Sequence, residues 1–503
     1  MKIAFRVDAS MQIGTGHVMR CLALADGLAN HADTKIHFIC RYLPANLGQM
    51  IQEKGFELSI LPVSTQTNEE SALAHSSWLG VTQELDARAT LDLIQGYECD
   101  WLIVDHYALD VCWEKMLRPA VKKMMVIDDL ADREHDCDIL LDQNLYADQE
   151  TRYKGKVPNQ CRALIGSRYT LLRKEFAEYR QMVRPRANNV TNILVFFGGM
   201  DANDFTTRAI TALSQITDFK FLVSVVIGDQ HPNKEEVEAL CQRLGYICYV
   251  QTAKMAELMA NADFAIGAGG GTVWERACLM LPTLSIPTAQ HQVKQLGDIA
   301  LTGVTYTFDA KVYTAEKIKK HAEALIENKT LRHLLSVRSA ETVDGKGVGR
   351  VVQFLRSELE IKLREADCSD EKSLFEWRNH PEIRAVSFNK SEILWQQHQD
   401  WFNALLLDSN RVLLIGEYKN QSVGVVRLDL DNDVAEVSIY LVPKDGNAGM
   451  GMPLLISAEK WLSTHRNGIK KLKAHVLEEN KVSHRFFVKA GFNPEATTYY
   501  KEI

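Results

Sequence analysis

The sequence predicts an α/β protein made of two Rossmann-like halves, with a separate α+β domain behind them. Three observations predict it. The first ~355 of 503 residues alternate short apolar runs with helical periodicity. A strand running into a glycine turn occurs at the start of that region and again in its middle. From about residue 358 the pattern changes to longer, alternating strands. With 46% hydrophobic and 24% charged residues, each portion can bury a core of full size. The net charge of −7 argues against nucleic acid or an anionic membrane as main partner, since both favour a basic surface.

Strands are predicted at 2–7, 35–40, 57–61, 101–105, 124–128 and 138–141. The first leads into Ile13-Gly14-Thr15-Gly16-His17-Val18-Met19-Arg20, after which Val18, Cys21, Leu22, Ala25 and Leu28 recur at helical spacing. A Gly-x-Gly turn between strand and helix turns backbone N–H groups and the positive end of the helix dipole toward a ligand. His17, in the first helical turn, is a base placed beside that ligand. The same turn also fits a bare βα corner, whereas a dinucleotide fingerprint would need glycine where Met19 stands. Three later strands end in polar tails: Val104-Asp105-His106-Tyr107, Ile127-Asp128-Asp129 and Leu141-Asp142-Gln143-Asn144. Open α/β sheets bind ligands at the carboxyl ends of their strands, yet each tail taken singly reads as a solvated loop.

A polar stretch containing Pro185 divides a first half, 1–185, from a second, 186–357. The second repeats the design, with a strand at 193–197 entering Gly198-Gly199-Met200-Asp201 and further strands near 221–227, 246–250, 264–266 and 283–286. After the 264–266 strand come Gly269, Gly270, Gly271 and Thr272 at the start of a helix, an arrangement that suits a diphosphate. Glu275, one turn in, can accept two hydrogen bonds from a ribose diol, and Gln292 lies in the adjoining loop. The plain alternative is a packing turn with Glu275 at its favoured first-turn position.

The third segment, 358–503, follows a charged, loop-like stretch at 357–370. It reads as helices at 371–380 and 392–406, strands at 411–418, 422–430 and 433–442, a glycine loop at 445–451, a helix, and a final strand–helix–strand. Ten cysteines without a C-x-x-C predict reduced thiols rather than a disulfide framework or a zinc site, and no metal-ligand cluster is predicted. Met1-Lys2 runs straight into a strand, and no apolar run approaches the ~18–20 residues of a membrane span. A cytoplasmic enzyme is expected, and the sequence carries no signal for its oligomeric state.

Taken with Phe5–Ser10 and Tyr169–Arg173, the motifs of the first ~350 residues resemble enzymes of the glycosyltransferase B (GT-B) fold. Within that fold they are most similar to the UDP-sugar hydrolases of pseudaminic acid biosynthesis. The resemblance implies attack of water at C1 of UDP-2,4-diacetamido-2,4,6-trideoxy-β-L-altropyranose, with inversion, release of UDP and no metal. It implies His17 as the base, with Asp8 and Tyr107 beside it in the catalytic set. Gly14, Gly16, Asp105, Gly198, Gly199, Gly269, Gly270, Gly271, Thr272, Glu275 and Gln292 would hold the UDP-sugar.

Val434–Gly451 and Glu479–Phe492 together resemble the GNAT acetyltransferases, and Leu374–Pro381 is similar to the aminosugar acetyltransferases of the same pathway. This implies acetyl-CoA as cosubstrate, gripped at Val442, Gly449 and Gly451 with Asn480 and Ser483 near its pantetheine arm. The acceptor implied is the 4-amino group of UDP-4-amino-4,6-dideoxy-N-acetyl-β-L-altrosamine. There are two departures. Gly446 stands where the loop usually opens with Arg or Gln, and Phe487 stands where a tyrosine usually protonates the CoA thiolate. A phenyl ring donates no proton, so either water or another group such as Tyr440 or Ser483 serves, or the domain is slow or only binds ligand. Glu436 shares a strand face with Ser438 and Tyr440 and is the candidate relay for the substrate amine; a cross-strand surface charge is its plain reading. The expectation is a bifunctional enzyme. The alternatives are a GT-B glycosyltransferase using a UDP-sugar, and a hydrolase whose GNAT domain is degenerate and regulatory.

Overall fold

The computed structural model describes residues 1–31, 34–63, 73–186, 189–357, 361–418, 420–444, 447, 449–495 and 498–502. Gly446 and part of the predicted 445–451 loop lie outside the described residues.

Seven strands form the first sheet: β1 (Lys2–Val7), β2 (Lys35–Cys40), β3 (Glu57–Ile60), β4 (Cys99–Asp105), β5 (Val121–Ile127), β6 (Ile139–Asp142) and β7 (Arg162–Ile165). Their order is β3-β2-β1-β4-β5-β6-β7, with every pairing parallel. The central strands are buried on both faces, which is why they read as unbroken apolar runs. β7 escaped the sequence reading because this short edge strand exposes its first two residues and leaves no apolar run. The second sheet holds β8 (Asn192–Phe196), β9 (Leu222–Ile227), β10 (Ile247–Val250), β11 (Phe264–Ala268) and β12 (Thr283–Ile286), in the order β10-β9-β8-β11-β12 and again all parallel. Ile193, Val195, Phe264 and Ile266 are buried at its centre. Burial of each such side chain contributes about 1.5–3 kcal/mol.

Strand order reverses between β1 and β4 in the first sheet and between β8 and β11 in the second, creating a crevice beyond the carboxyl ends at each place. Val7 pairs with Asp105, and Phe196 pairs with Gly267. The His17 turn therefore sits over one switch point, and the glycine loops 198–199 and 269–271 sit over the other.

After the second sheet the chain returns to the end of the first half. A Cβ on Gly347 would lie 2.2 Å from the Thr170 carbonyl oxygen, so this close backbone approach admits only glycine. Ser167 Oγ donates to the Thr342 carbonyl (3.2 Å) and Arg350 Nη1 to that of Arg168 (2.8 Å). Residues 1–29 and 34–351 make one compact unit containing both parallel sheets.

The second compact unit, from residue 352 onward, carries β13 (Lys362–Glu365), β14 (Arg411–Tyr418), β15 (Gln421–Asp431), β16 (Val434–Leu441), β17 (Lys471–His475), β18 (Asn493–Glu495) and β19 (Thr498–Glu502). The order is β13-β14-β15-β16-β17-β19-β18, antiparallel except between β16 and β17. The stretch read as a loop at 357–370 thus contains an edge strand. Its charges hid it: Arg364 is bound to Asp370 and to Glu417, each at 2.7 Å. β16 and β17 pair only from Val434 to Glu436, and their remaining lengths are not paired with each other. Helices Glu371–Asn379 and Trp395–Leu407 contribute Leu374, Phe402 and Leu405 to a core with Leu413, Ile415 and Val425. All ten cysteines are free, and among the described residues no helix is long and apolar enough to cross a membrane.

Candidate active site

β1 ends at Val7, and Gly14, with φ +76°, closes the turn by donating its N–H to the Ser10 carbonyl (2.8 Å) before helix Gly16–Ala29 begins. A Cβ on Gly14 or Gly16 would meet nothing within 4 Å, so both face open space. His17 is buried in the first turn, and its Nδ1 lies 2.6 Å from Asp105 Oδ1 at the end of β4. The second nearby group, Arg20 Nη2, is itself a donor, so Nδ1 carries its proton toward Asp105. In the neutral ring this puts the lone pair on Nε2, as a general base requires. Burial would raise the Asp105 carboxyl, but Arg20 and then His17 outweigh it and hold it well below the usual range. Tyr107 meets the His17 ring edge-on at 4.6 Å, and Trp78 stacks on Tyr107 at 5.6 Å, forming an aromatic wall beside the base.

The polar strand tails are buried, which overturns their reading as solvated loops. Arg20 donates through Nε and Nη2 to Asp105 and through Nη1 to Asp129 Oδ2, each at 2.6 Å. The Tyr107 hydroxyl donates to the same Asp129 oxygen at 2.5 Å. Burial, reinforced by Asp129, pushes that phenol far up, so Tyr107 is held as a donor. Asn144 Nδ2 donates to Asp129 Oδ1 at 2.7 Å. Its Oδ1 accepts from Trp274 Nε1 (2.9 Å) and Gln295 Nε2 (2.6 Å), both in the second half. Arg20, Asp129, Asn144, Trp78 and Trp274 were not singled out from the sequence. Arg20, Asp129 and Asn144 lie inside quoted motifs, and only the switch-point topology shows that they meet.

Asp8 lies beneath this cluster. Arg6 grips both its oxygens (2.6 and 3.1 Å), the Arg41 N–H donates to it (2.7 Å), and His106 Nε2 faces it at 3.2 Å. With both oxygens engaged and no described contact to His17, Asp8 supports the end of β1 instead of touching the base. Asp142 behaves differently: burial and the nearby Asp129 push its carboxyl up to about 7. The folded chain holds this proton more tightly than the unfolded one. Asp142 therefore favours folding fully below its ordinary value of about 3.8, and that advantage is lost as pH rises through about 7. The melting temperature should fall less between about pH 5.5 and 8.5 in Asp142→Asn than in the parent protein. Calorimetry at the two pH values checks this, and an unchanged difference would refute it.

In the second half, a Cβ on Gly267 would come within 2.5 Å of the Phe196 carbonyl oxygen, and one on Gly269 within 2.9 Å of the Leu296 side chain. The backbone contact demands glycine at 267, whereas at 269 an added methyl would have to displace the end of the Leu296 side chain. Gly198 (φ +92°) and Gly271 face open space, and Gly199 packs against Gly228. Thr272 opens helix Thr272–Cys278, and its hydroxyl accepts from Arg276 Nη1 (3.0 Å). Glu275 is partly buried on that helix, 3.8 Å from Arg173 of the first half; burial pushes its carboxyl up and Arg173 draws it back. Gln292 Oε1 accepts from the N–H (2.9 Å) and hydroxyl (3.1 Å) of Thr288, which brings its Nε2 over Gly270. Beside Gly199, Asp201, Asp204 and His231 place ligand-type atoms within 4.8 Å of one another. However, His231 Nδ1 accepts the Asn233 N–H (3.2 Å), so the neutral ring carries its proton on Nε2, the atom facing Asp201. At 3.7 Å that atom makes no hydrogen bond to Asp201, whose oxygens cap Phe205 and Thr206.

In the second unit, Glu436, Ser438 and Tyr440 lie on one face of β16, opposite Asp429, Arg427 and Val425. Glu436 is paired with Lys473 (3.3 Å) and His475 (3.5 Å), and burial raises the Tyr440 phenol. The Val442 N–H is engaged by Val423 (3.0 Å). Gly449 adopts φ +87°, and Gly451 starts helix Gly451–His465 against Phe486. Asn480 caps helix Lys481–Lys489 by accepting the Ser483 N–H (3.1 Å). Phe487 is buried between Phe492 and Tyr499, whose hydroxyl hydrogen-bonds to His484 Nδ1.

Residues 192–342 match the model of the glycosyltransferase family 28 C-terminal domain, and residues 360–493 match that of the acetyltransferase (GNAT) domain. The chain is 24% identical to the uncharacterized protein MJ1062 of Methanocaldococcus jannaschii, over 98% of this chain and 96% of that protein. It is 27% identical to the UDP-2,4-diacetamido-2,4,6-trideoxy-beta-L-altropyranose hydrolase of Campylobacter jejuni, over 56% of this chain and 89% of that one. Acinetobacter baumannii MurG aligns with 71% of this chain over 99% of its own length, at 15% identity and a TM-score of 0.48. The chain thus joins two all-parallel sheets, the second within the match to the glycosyltransferase family 28 C-terminal domain, to a region that matches the acetyltransferase (GNAT) domain.

Proposed function

We propose that the first unit hydrolyses a UDP-sugar, UDP-2,4-diacetamido-2,4,6-trideoxy-β-L-altropyranose, to UDP and the free sugar. The observation that carries this reading is the His17–Asp105 pair (2.6 Å), which orients a neutral imidazole as base at a switch point. Water loses its proton to Nε2 as its oxygen attacks C1; the C1–oxygen bond to UDP breaks, with inversion. The leaving diphosphate is held by the backbone N–H groups of Gly270 and Gly271, since that of Gly269 is taken by the Ile286 carbonyl (2.9 Å), and the ribose by Glu275; this reading uses no metal. Asp105, itself held by Arg20, stabilises the imidazolium that forms. Homology to the Campylobacter hydrolase supports the choice of substrate.

The GNAT domain transfers acetyl from acetyl-CoA to the amine of the corresponding UDP-aminosugar, so that its product is the first unit's substrate. A soluble, cytoplasmic enzyme fits both activities. With acetyl-CoA and UDP-4-amino-4,6-dideoxy-N-acetyl-β-L-altrosamine, the purified chain is expected to release CoA and then UDP. No CoA above background would sink the acetyltransferase reading; no UDP from the diacetamido sugar nucleotide would sink the hydrolase reading.

A further inference from the structure

Asn144 follows β6 and is 3% exposed. Its amide is saturated: Nδ2 donates to Asp129 Oδ1 (2.7 Å) and Asp142 Oδ1 (3.2 Å), while Oδ1 accepts from Trp274 Nε1 (2.9 Å) and Gln295 Nε2 (2.6 Å). The orientation of the amide is fixed by chemistry, since an indole N–H only donates and a carboxylate only accepts. Trp274 precedes Glu275 on the helix behind the glycine loop, and Gln295 lies on helix His291–Leu301. Asp129 leads back through Arg20 and Asp105 to His17. One amide therefore joins the nucleotide-side helices to the base through buried, directional hydrogen bonds.

We infer that Asn144 is a positioning residue that sets the register between the two halves, so that His17 meets the anomeric carbon of a sugar whose UDP is held by the second half. This rests on the hydrolase reading. The charged and polar groups facing the amide are Asp129 and Asp142 from the first half and Trp274 and Gln295 from the second, so its loss breaks this link between base and nucleotide side without removing any group assigned to the substrate. An orphaned buried Oδ1 or a rotated amide would then leave UDP binding intact and misplace the base.

The test compares the parent protein with Asn144→Ala and with the milder Trp274→Phe/Gln295→Leu, which keeps the Asn144 side chain. UDP affinity by calorimetry, hydrogen exchange of helix Gly16–Ala29 with and without UDP, melting temperature, and kcat and KM for UDP release are measured. In the parent, UDP should protect the Gly16–Ala29 amides. In the double variant that protection should vanish, kcat should drop about tenfold or more, and UDP affinity and KM should stay within about threefold. Protection and kcat unchanged would overturn the inference, as would a lowered melting temperature with kcat of the folded protein retained. A parent protein that neither binds UDP nor releases it from the sugar nucleotide refutes the functional reading itself, and the inference with it, before any variant is compared.

Discussion

His17→Phe should lower the rate of UDP release by about 10²- to 10⁴-fold, the usual contribution of a positioned general base. The fold should survive, because Asp105 keeps two hydrogen bonds from Arg20, each at 2.6 Å, after the imidazole is gone. UDP affinity should also survive, since the residues proposed to hold the nucleotide belong to the second half. The comparison that matters is therefore turnover against binding: initial rates of UDP release beside calorimetric titration with UDP. A variant with near-normal turnover would remove His17 from the mechanism. One that loses UDP binding as well would point to a collapsed site and not a missing base.

Asp105→Ala should cost more in stability than any other single change at this site, about 3–5 kcal/mol, because it leaves the buried Arg20 guanidinium without its bidentate partner. That is a large share of the ~5–15 kcal/mol that separates folded from unfolded chains. The sign of the accompanying pH effect follows from Arg20 and His17 holding the carboxyl below its ordinary range. The stabilisation is fully present above about 3.8 and is lost only as pH falls below that value. Denaturant titration at neutral pH should show the whole loss, and the gap between parent and variant should narrow in acid. A variant as stable as the parent at neutral pH would show that Arg20 finds another anion. Asp129, already 2.6 Å from Arg20 Nη1, is the candidate.

The sequence made the two glycine turns, His17 and Glu275 legible because each is a short motif at a strand–helix junction. It also exposed the parallel architecture, since strands covered on both faces read as plain apolar runs. The fate of the polar tails was not legible. Asp105 ends β4, and Asp129 and Asn144 lie just beyond β5 and β6, so they converge only once those strands lie side by side. A buried carboxylate with arginine partners has the same one-letter code as a solvated one. The surroundings of Asp8 were illegible for a related reason. Its neighbour Arg6 is fully buried beneath the site, also bound to Asp86, a pairing across eighty positions that no local pattern announces. Strands β7 and β13 were hidden by the exposed or charged residues that edge strands carry.

Gly347 decides something about this chain's modularity. The backbone crossing beside Thr170 fastens the end of the second half to the end of the first. A gene fragment meant to encode the first unit alone must therefore run past the crossing, to about residue 351, even though the second parallel sheet is already complete at Ile286. A cut made directly behind that sheet would unfasten the two halves from each other. A partner domain appended behind the crossing leaves the clasp untouched, and that is where the acetyltransferase begins.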